Sequence, residues 1–497
     1  MSIARRTLKG IFWVYTSFFA GRVLTLITTA ILGRLLLPDD FGVIGFALIF
    51  LSFIEIARNF GINEALIYTS DDLEETADTV FVINVTLGVL QFLAAFLLAP
   101  LLANVFEDPR VITVVQVLSF TFVIDALGQT HDALLQKELE FRRRFMPELL
   151  ATILKGVVSI VLALSGVGLW SLLIGNIVGS IARTSARWWT LRWRPRLRFH
   201  IERARSLWRY SVHIILFQIL GIALDQADQL LIGIIMGQTQ LGYYSIAMKI
   251  PEMVIANFSL ILTRVLFPSY VKMKDDIKAL SASFLATTRY TSYITIPVGL
   301  GLAAVAPELV NVVFGNQWEP TIVLLQVLAL MGMVSTLPWS VGDVLKAIGR
   351  PDISTKLLVV EAIYTFPLIY LLVSQSGLAV WAAVANLISL TIAMFLRLGI
   401  VTRFLDVRAS DFVRMFASPF IAGFVMLLGV TAWRQLTVDG IPLFILMSSV
   451  VVGAVVYSVF MLLLERHAVM EAVNALWEMV SDRRKKIEPL TVAQNDS

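Results

Sequence analysis

Ionisable side chains stand where a bilayer core would surround them. The basic ones are Arg22, Arg58, Lys155, Lys249, Arg264 and Arg289; the acidic ones are Glu55, Asp125, Asp225, Asp228, Glu252, Asp343 and Glu361. A charge at mid-bilayer costs about 2.5–3.5 kcal/mol on the insertion scale, so each needs a partner or a wet cavity. Arg22 lies at the centre of its apolar stretch, beyond easy reach of either surface. Two readings stay open for it: a ligand for an anion in a cavity, or one half of a structural ion pair. Arg58 and Lys249 stand next. Glu55 and Arg58 are spaced i, i+3, as are Lys249 and Glu252, so each cation has a neutralising neighbour within reach. Arg264 and Arg289 sit near helix ends and read as snorkelling; Lys155 is intermediate. Gln218, Asp225, Asp228 and Gln229 form one polar stripe at helical spacing. Its carboxylates, with Glu55, suit H⁺ or Na⁺ coupling, or pairing with Arg22 or Lys249 between lobes.

The elements that must position these groups follow from composition. Of 497 residues, 58% are hydrophobic and 15% charged, and the mean hydropathy is +0.80. A soluble globule cannot hide that much apolar surface, which excludes a soluble enzyme, a secreted disulfide scaffold and a disordered chain. With no cysteine, thiolate chemistry is excluded too. Apolar stretches of membrane-spanning length lie near 10–32, 41–67, 78–103, 111–135, 147–166, 168–190, 211–236, 240–268, 283–306, 320–345, 354–374, 377–402, 414–433 and 441–464. They lack period-two alternation, so they read as helices. The expected fold is an all-α polytopic membrane protein of about fourteen transmembrane helices. The first stretch is long for a signal peptide and leads directly into the second, so no cleavable leader is expected.

Lys and Arg set the expected sidedness. With both termini cytoplasmic, 31 of the 40 basic residues fall on the cytoplasmic side, Arg183 and Arg187 among them. The outside loops hold Arg34, Arg110 and Arg434. Arg-and-Trp segments such as Arg187-Trp188-Trp189 adjoin spans and read as anchors against anionic lipid rather than nucleic-acid surfaces. The chain also repeats itself. Gly33, Phe41, Gly42 and Ala47 recur at an offset of 200 as Gly233, Leu241, Gly242 and Ala247. Ile112 and Gln116-Val117-Leu118 recur at 210, and Gly166 and Trp170 at 211. The division expected is an N-lobe over 1–200 and a parallel C-lobe repeat over 201–405. Two extra helices follow over 406–466, then a tail over 467–497. Parallel repeats of six helices imply two pseudo-symmetric bundles with a cavity between them.

Several motifs carry a family resemblance. Ile31-Leu32-Gly33-Arg34-Leu35-Leu36-Leu37-Pro38-Asp39-Asp40-Phe41-Gly42 resembles the first-loop signature of WzxC-type polysaccharide flippases. So do Ala133 to Phe141, Asp228 to Gly233 with Leu241-Gly242-Tyr243-Tyr244, Trp318-Glu319-Pro320 and Gly349-Arg350-Pro351-Asp352. The family belongs to the multidrug/oligosaccharidyl-lipid/polysaccharide exporter superfamily. The resemblance implies an alternating-access transporter of the bacterial inner membrane, flipping undecaprenyl-pyrophosphate-linked oligosaccharide for exopolysaccharide, O-antigen or capsule. Membrane lipids, a polysaccharide polymerase and a chain-length regulator are its implied partners. Arg22, Arg58 and Lys249 are then candidate ligands for the pyrophosphate, which guanidinium groups grip in bidentate fashion. No phosphate-cradling loop, nucleophile elbow or metal-ligand spacing appears, so no cofactor, metal or enzymatic activity is expected. The alternatives are a multidrug/cation antiporter of the same superfamily and a polyprenyl-linked glycosyltransferase or polymerase. An antiporter favours an acidic cavity, and the enzyme requires a sizeable outside loop bearing carboxylates.

Overall fold

The computed structural model describes residues 20–56, 63, 66–67, 73–106, 108–138, 140–201, 220–256, 266–467 and 470. Arg58, Arg264 and Gln218 lie outside the described residues. Every regular element among those described is helical. In chain order the helices used below are α1 (20–35), α2 (Pro38–Glu55), α3 (Leu73–Phe106), α4 (Arg110–Lys137), α5 (Phe141–Leu164), α6 (Leu169–Thr190), α7 (Ala227–Met236) and α8 (Gln238–Pro251). They continue with α9 (Ile277–Val313), α10 (Thr321–Thr336), α11 (Trp339–Ala347), α12 (Pro351–Ser376), α13 (Val380–Val401), α14 (Ala409–Leu436) and α15 (Pro442–Leu464). Nine segments among the described residues are long and apolar enough to cross a bilayer, and the chain is a multi-pass membrane protein. The expected first, second, seventh and eighth spans run into residues outside the described set.

The helices begin and end for local reasons. Gly166, Gly168, Gly237 and Gly349, each at a break between helices, have positive φ, which glycine adopts without a Cβ penalty. The prolines differ in outcome. Pro338 separates α10 from α11, and Pro251 closes α8 before a π-helical turn over Glu252–Ala256. Pro100, Pro297 and Pro367 lie inside continuous helices. An internal proline frees the carbonyl four residues earlier, and for Pro297 and Pro100 another helix takes it up. Tyr457 donates its hydroxyl to the Tyr293 carbonyl at 3.0 Å, four residues before Pro297. Gln116 donates to the Phe96 carbonyl at 3.4 Å, four residues before Pro100. In a membrane, such rescue decides whether a proline is tolerated.

By contact the chain divides into two compact units. The larger comprises Met1–Met253, Leu309–Met331 and Arg350–Ala393; the other comprises Val254–Glu308, Gly332–Gly349 and Met394–Ser497. In the larger unit α3 packs on α4, α5 on α6, and α2 on α8. The α2/α8 contact joins residues related by the offset of 200. A Cβ on Gly42 would collide with the Gln238 carbonyl, and a Cβ on Gly242 with the Pro38 carbonyl. Thr239 donates to Asp39 at 2.5 Å, another pair at that offset. Gly33 meets Phe314, and Gly233 meets Phe106. Trp318 donates its indole N–H to the Gly33 carbonyl at 2.6 Å, and Arg34 donates to the Val312 and Val313 carbonyls at the end of α9.

In the smaller unit α14 packs on α15. The guanidinium of Arg289, read from sequence as snorkelling, binds the Glu465 carboxylate and donates to the Tyr293 hydroxyl at 2.7 Å. The carboxylate stands just past the end of α15, within reach because the helix stops there. Burial pushes the Glu465 carboxyl up, but hydrogen bonds from Tyr293 and Arg289 prevail and hold it below its ordinary value. Arg434 likewise binds Glu308 at 2.6 Å and the Ala304 carbonyl at 3.0 Å.

Candidate functional site

A cavity of about 320 Å³ opens within the larger unit, walled by α1, α2, α4, α5, α6 and α8. Each helix contributes one face, at spacings of three and four residues. From α1 come the hydroxyls of Thr25, Thr28 and Thr29; from α2 the apolar face of Phe41, Ile44 and Leu48. Thr121 and Asp125 descend from α4, Thr152, Lys155 and Ser159 from α5, and Asn176, Ser180 and Arg183 from α6. Lys249 of α8 completes the wall.

Glycines set how closely these helices approach, as small residues do between membrane helices. A Cβ on Gly175 would strike the Ser159 hydroxyl, and one on Gly179 would lie 3.0 Å from the Lys155 Cβ. A Cβ on Gly156 would lie 2.6 Å from the Thr28 hydroxyl. The α5 polar face is thereby pressed between α6 and α1, with Lys155 and Ser159 at the cavity.

The charged groups fall into two kinds. Arg183 donates from Nε to Glu148 at 3.0 Å and from Nη1 to Asp125 at 3.3 Å, and Asp125 also accepts from the Ser180 hydroxyl. From there a ladder of ion pairs continues along α4, α5 and α6. Arg187 bridges Glu148 at 2.8 Å and Asp132 at 3.3 Å, and Asp132 receives Arg144 at 2.9 Å. The two lysines are different. Lys155 donates to the amide oxygen of Asn176 at 2.7 Å, and Lys249 stands 5.5 Å above the Phe41 ring. Neither has a carboxylate within ion-pair distance among the described residues, although Glu252 acts on Lys249 through space. Both are solvent-accessible at the cavity although protein surrounds them. Among the lining residues three cations face one carboxylate, an excess of two positive charges.

Of the residues proposed from sequence, Lys249 lines this cavity. Arg22 is half-buried on α1, one turn before the lining residue Thr25 and on the same side of the helix. Glu55 is the half-buried last residue of α2. Asp225 is exposed, whereas Asp228 is buried elsewhere in the unit. The Asp228 carboxylate accepts from the Tyr244 hydroxyl, from Asn386 at 2.9 Å and from the Gln229 N–H at 2.7 Å. Lys155, Asn176 and Glu148 were not singled out as site residues in the sequence. Arg183, grouped there with cytoplasmic charges, lies well inside α6 and on the cavity wall; its partners come from α4 and α5, which no local pattern announces. The groups of three or more ligating side chains that would hold a metal ion are absent among the described residues.

Comparisons with known proteins agree on the class. A family model described as polysaccharide biosynthesis protein matches residues 31–323. The chain is 28% identical to the lipopolysaccharide biosynthesis protein WzxC of Escherichia coli (strain K12), covering 74% of this chain and 75% of that protein. It is 25% identical to the succinoglycan biosynthesis transport protein ExoT of Rhizobium meliloti (strain 1021), covering 99% of both. Among solved structures, the lipid II flippase MurJ in an inward closed conformation superposes with a TM-score of 0.76 at 14% identity, covering 92% of this chain and 100% of that one. An inward-facing multidrug resistance transporter of the MATE family gives 0.60 at 15% identity, over 77% and 95%. The fold is therefore that of an all-helical transporter.

Proposed function

We propose, since this chain belongs to the polysaccharide biosynthesis protein family, that it flips a lipid-linked oligosaccharide across the membrane by alternating access. The observation that carries this reading is the cavity itself: polar, hydroxyl-lined and positive by two charges, inside a fold shared with a lipid flippase. An anionic phosphate link suits such a wall, because its charge sits on compact oxygens that ammonium and guanidinium groups bind strongly. The same excess of cations disfavours a cationic drug.

In this reading the substrate is an undecaprenyl-pyrophosphate-linked oligosaccharide of the bacterial inner membrane. The chain's termini lie in the cytoplasm, and a polymerase and chain-length regulator act on the flipped product. Lys249 meets the anionic link, while Arg22 and Arg58 complete the path along which it travels. Asp225, Asp228 and Glu55 are proposed to serve H⁺ or Na⁺ coupling or inter-lobe pairing. The decisive experiment is deletion of the gene followed by analysis of lipid-linked intermediates. Complete, unpolymerised repeat units on the inner leaflet are expected; incomplete units would indicate an assembly enzyme instead. Arg22→Ala is expected to abolish surface polysaccharide at normal membrane levels of the protein, and unchanged export would remove Arg22 from the path.

A further inference from the structure

We propose that Lys155, held in place by Asn176, is the specificity-determining second arm of the cavity, selecting a diphosphate over a monophosphate together with Lys249. The proposal rests on the functional reading above and deepens it by assigning the site's selectivity to named residues.

Three observations lead to it. The first is the choice of partners. Arg183 is flanked by Asp125 and Glu148, so its charge is already compensated and it contributes little to an incoming anion. Lys155 is bound to a neutral amide and Lys249 to a neutral ring, so both keep their charge for a ligand. An amide oxygen fixes an ammonium through one of its three hydrogens and leaves the rest to donate.

The second is mutual repulsion. Lys249 and Arg183 both act on the Lys155 ammonium through space. Two like charges held in one cavity repel each other. A ligand bearing negative charge on two adjacent phosphates relieves that repulsion at both ends, whereas a single phosphate reaches one end at a time.

The third is Ser159, one turn along α5 from Lys155 and on the same face. Its side chain is fully buried at the cavity wall, and its hydroxyl lacks a hydrogen-bond partner. Buried hydroxyls are normally satisfied, so the wall one turn from Lys155 holds a spare donor, packed against Gly175 of α6.

The test uses the full-length protein in lipid nanodiscs, with farnesyl diphosphate and farnesyl monophosphate as probes. The wild type is expected to bind the diphosphate about ten-fold more tightly, equivalent to one additional charge-assisted contact. Lys155→Ala should abolish that preference while leaving monophosphate binding within two-fold. Asn176→Asp is the sharper variant. It gives Lys155 a carboxylate partner, so a purely structural role would leave the melting temperature and binding intact, whereas the proposed role predicts an unchanged or higher melting temperature with the diphosphate preference lost. Retained preference in both variants, or no preference in the wild type, overturns the proposal. Failure of the flippase reading shows separately, as absence of accumulated repeat units in the deletion strain.

Discussion

The two lysines of the cavity and the arginines of the neighbouring ion-pair ladder belong to one unit, with Lys155 and Arg144 on the same helix, yet they are solved in opposite ways. Arg183, Arg187 and Arg144 are threaded through Asp125, Glu148 and Asp132, each guanidinium meeting at least one carboxylate. Lys155 and Lys249 are given an amide and an aromatic ring. A guanidinium has a rigid fork that bridges two carboxylates, whereas an ammonium is a compact charge on a flexible stem. The ladder therefore spends its charge on holding α4, α5 and α6 together, and the cavity keeps its charge for a visitor. Intramembrane charge alone does not mark a binding site. What marks it is charge whose partner is neutral.

Substitutions can separate the two regions. The largest effect is expected for Asp132→Ala, which removes the carboxylate shared by Arg144 and the nearly buried Arg187. Breaking such a pair costs about 3–5 kcal/mol when buried, and partial exposure of Arg144 and Asp132 lowers the expectation to about 2–3 kcal/mol. A thermal melt should show the loss while farnesyl diphosphate binding to the folded fraction stays unchanged. Lys249→Ala should do the reverse, weakening farnesyl diphosphate binding about ten-fold with an unchanged or higher melting temperature. Arg183→Lys is expected to cost about 1 kcal/mol, because an ammonium loses the fork geometry. An equal loss of binding would merge the two regions into one.

The smallest expected effect concerns pH and lies in the other unit. The Glu465 carboxyl is held below its ordinary value of 4.5, so its contribution to stability is present above that value and lost as pH falls through the depressed one. Melting temperature should therefore drop on acidification below about pH 4.5, and Glu465→Gln should flatten that drop. An unaltered acid profile would mean that the Arg289–Glu465 pair does not behave as the ladder does.

The all-helical, multi-pass character was legible because apolar stretches of spanning length need no tertiary information. Lys249 was legible because a lysine inside such a stretch is conspicuous. Lys155 was equally conspicuous, but its meaning depends on Asn176, twenty-one residues away on another helix. The partners of Arg183 were illegible for a related reason. Counting basic residues near span ends treats an arginine as an interfacial anchor, and only the approach of Glu148 and Asp125 draws it inward. The prolines divide along the same line. Pro338 ends α10, whereas Pro297 is tolerated because Tyr457 reaches the carbonyl it frees. Sequence shows the breaker, and only packing shows the remedy.

The reciprocal contact of Gly42 and Gly242 carries a consequence for inheritance. Each glycine faces the main chain of the other helix, at Gln238 and Pro38, and a main-chain carbonyl is present whatever residue is encoded there. A larger side chain at either position therefore has no compensating mutation at the site of collision. Residues 200 apart in the sequence are thereby bound to one another at this crossing, and neither glycine is free to change alone.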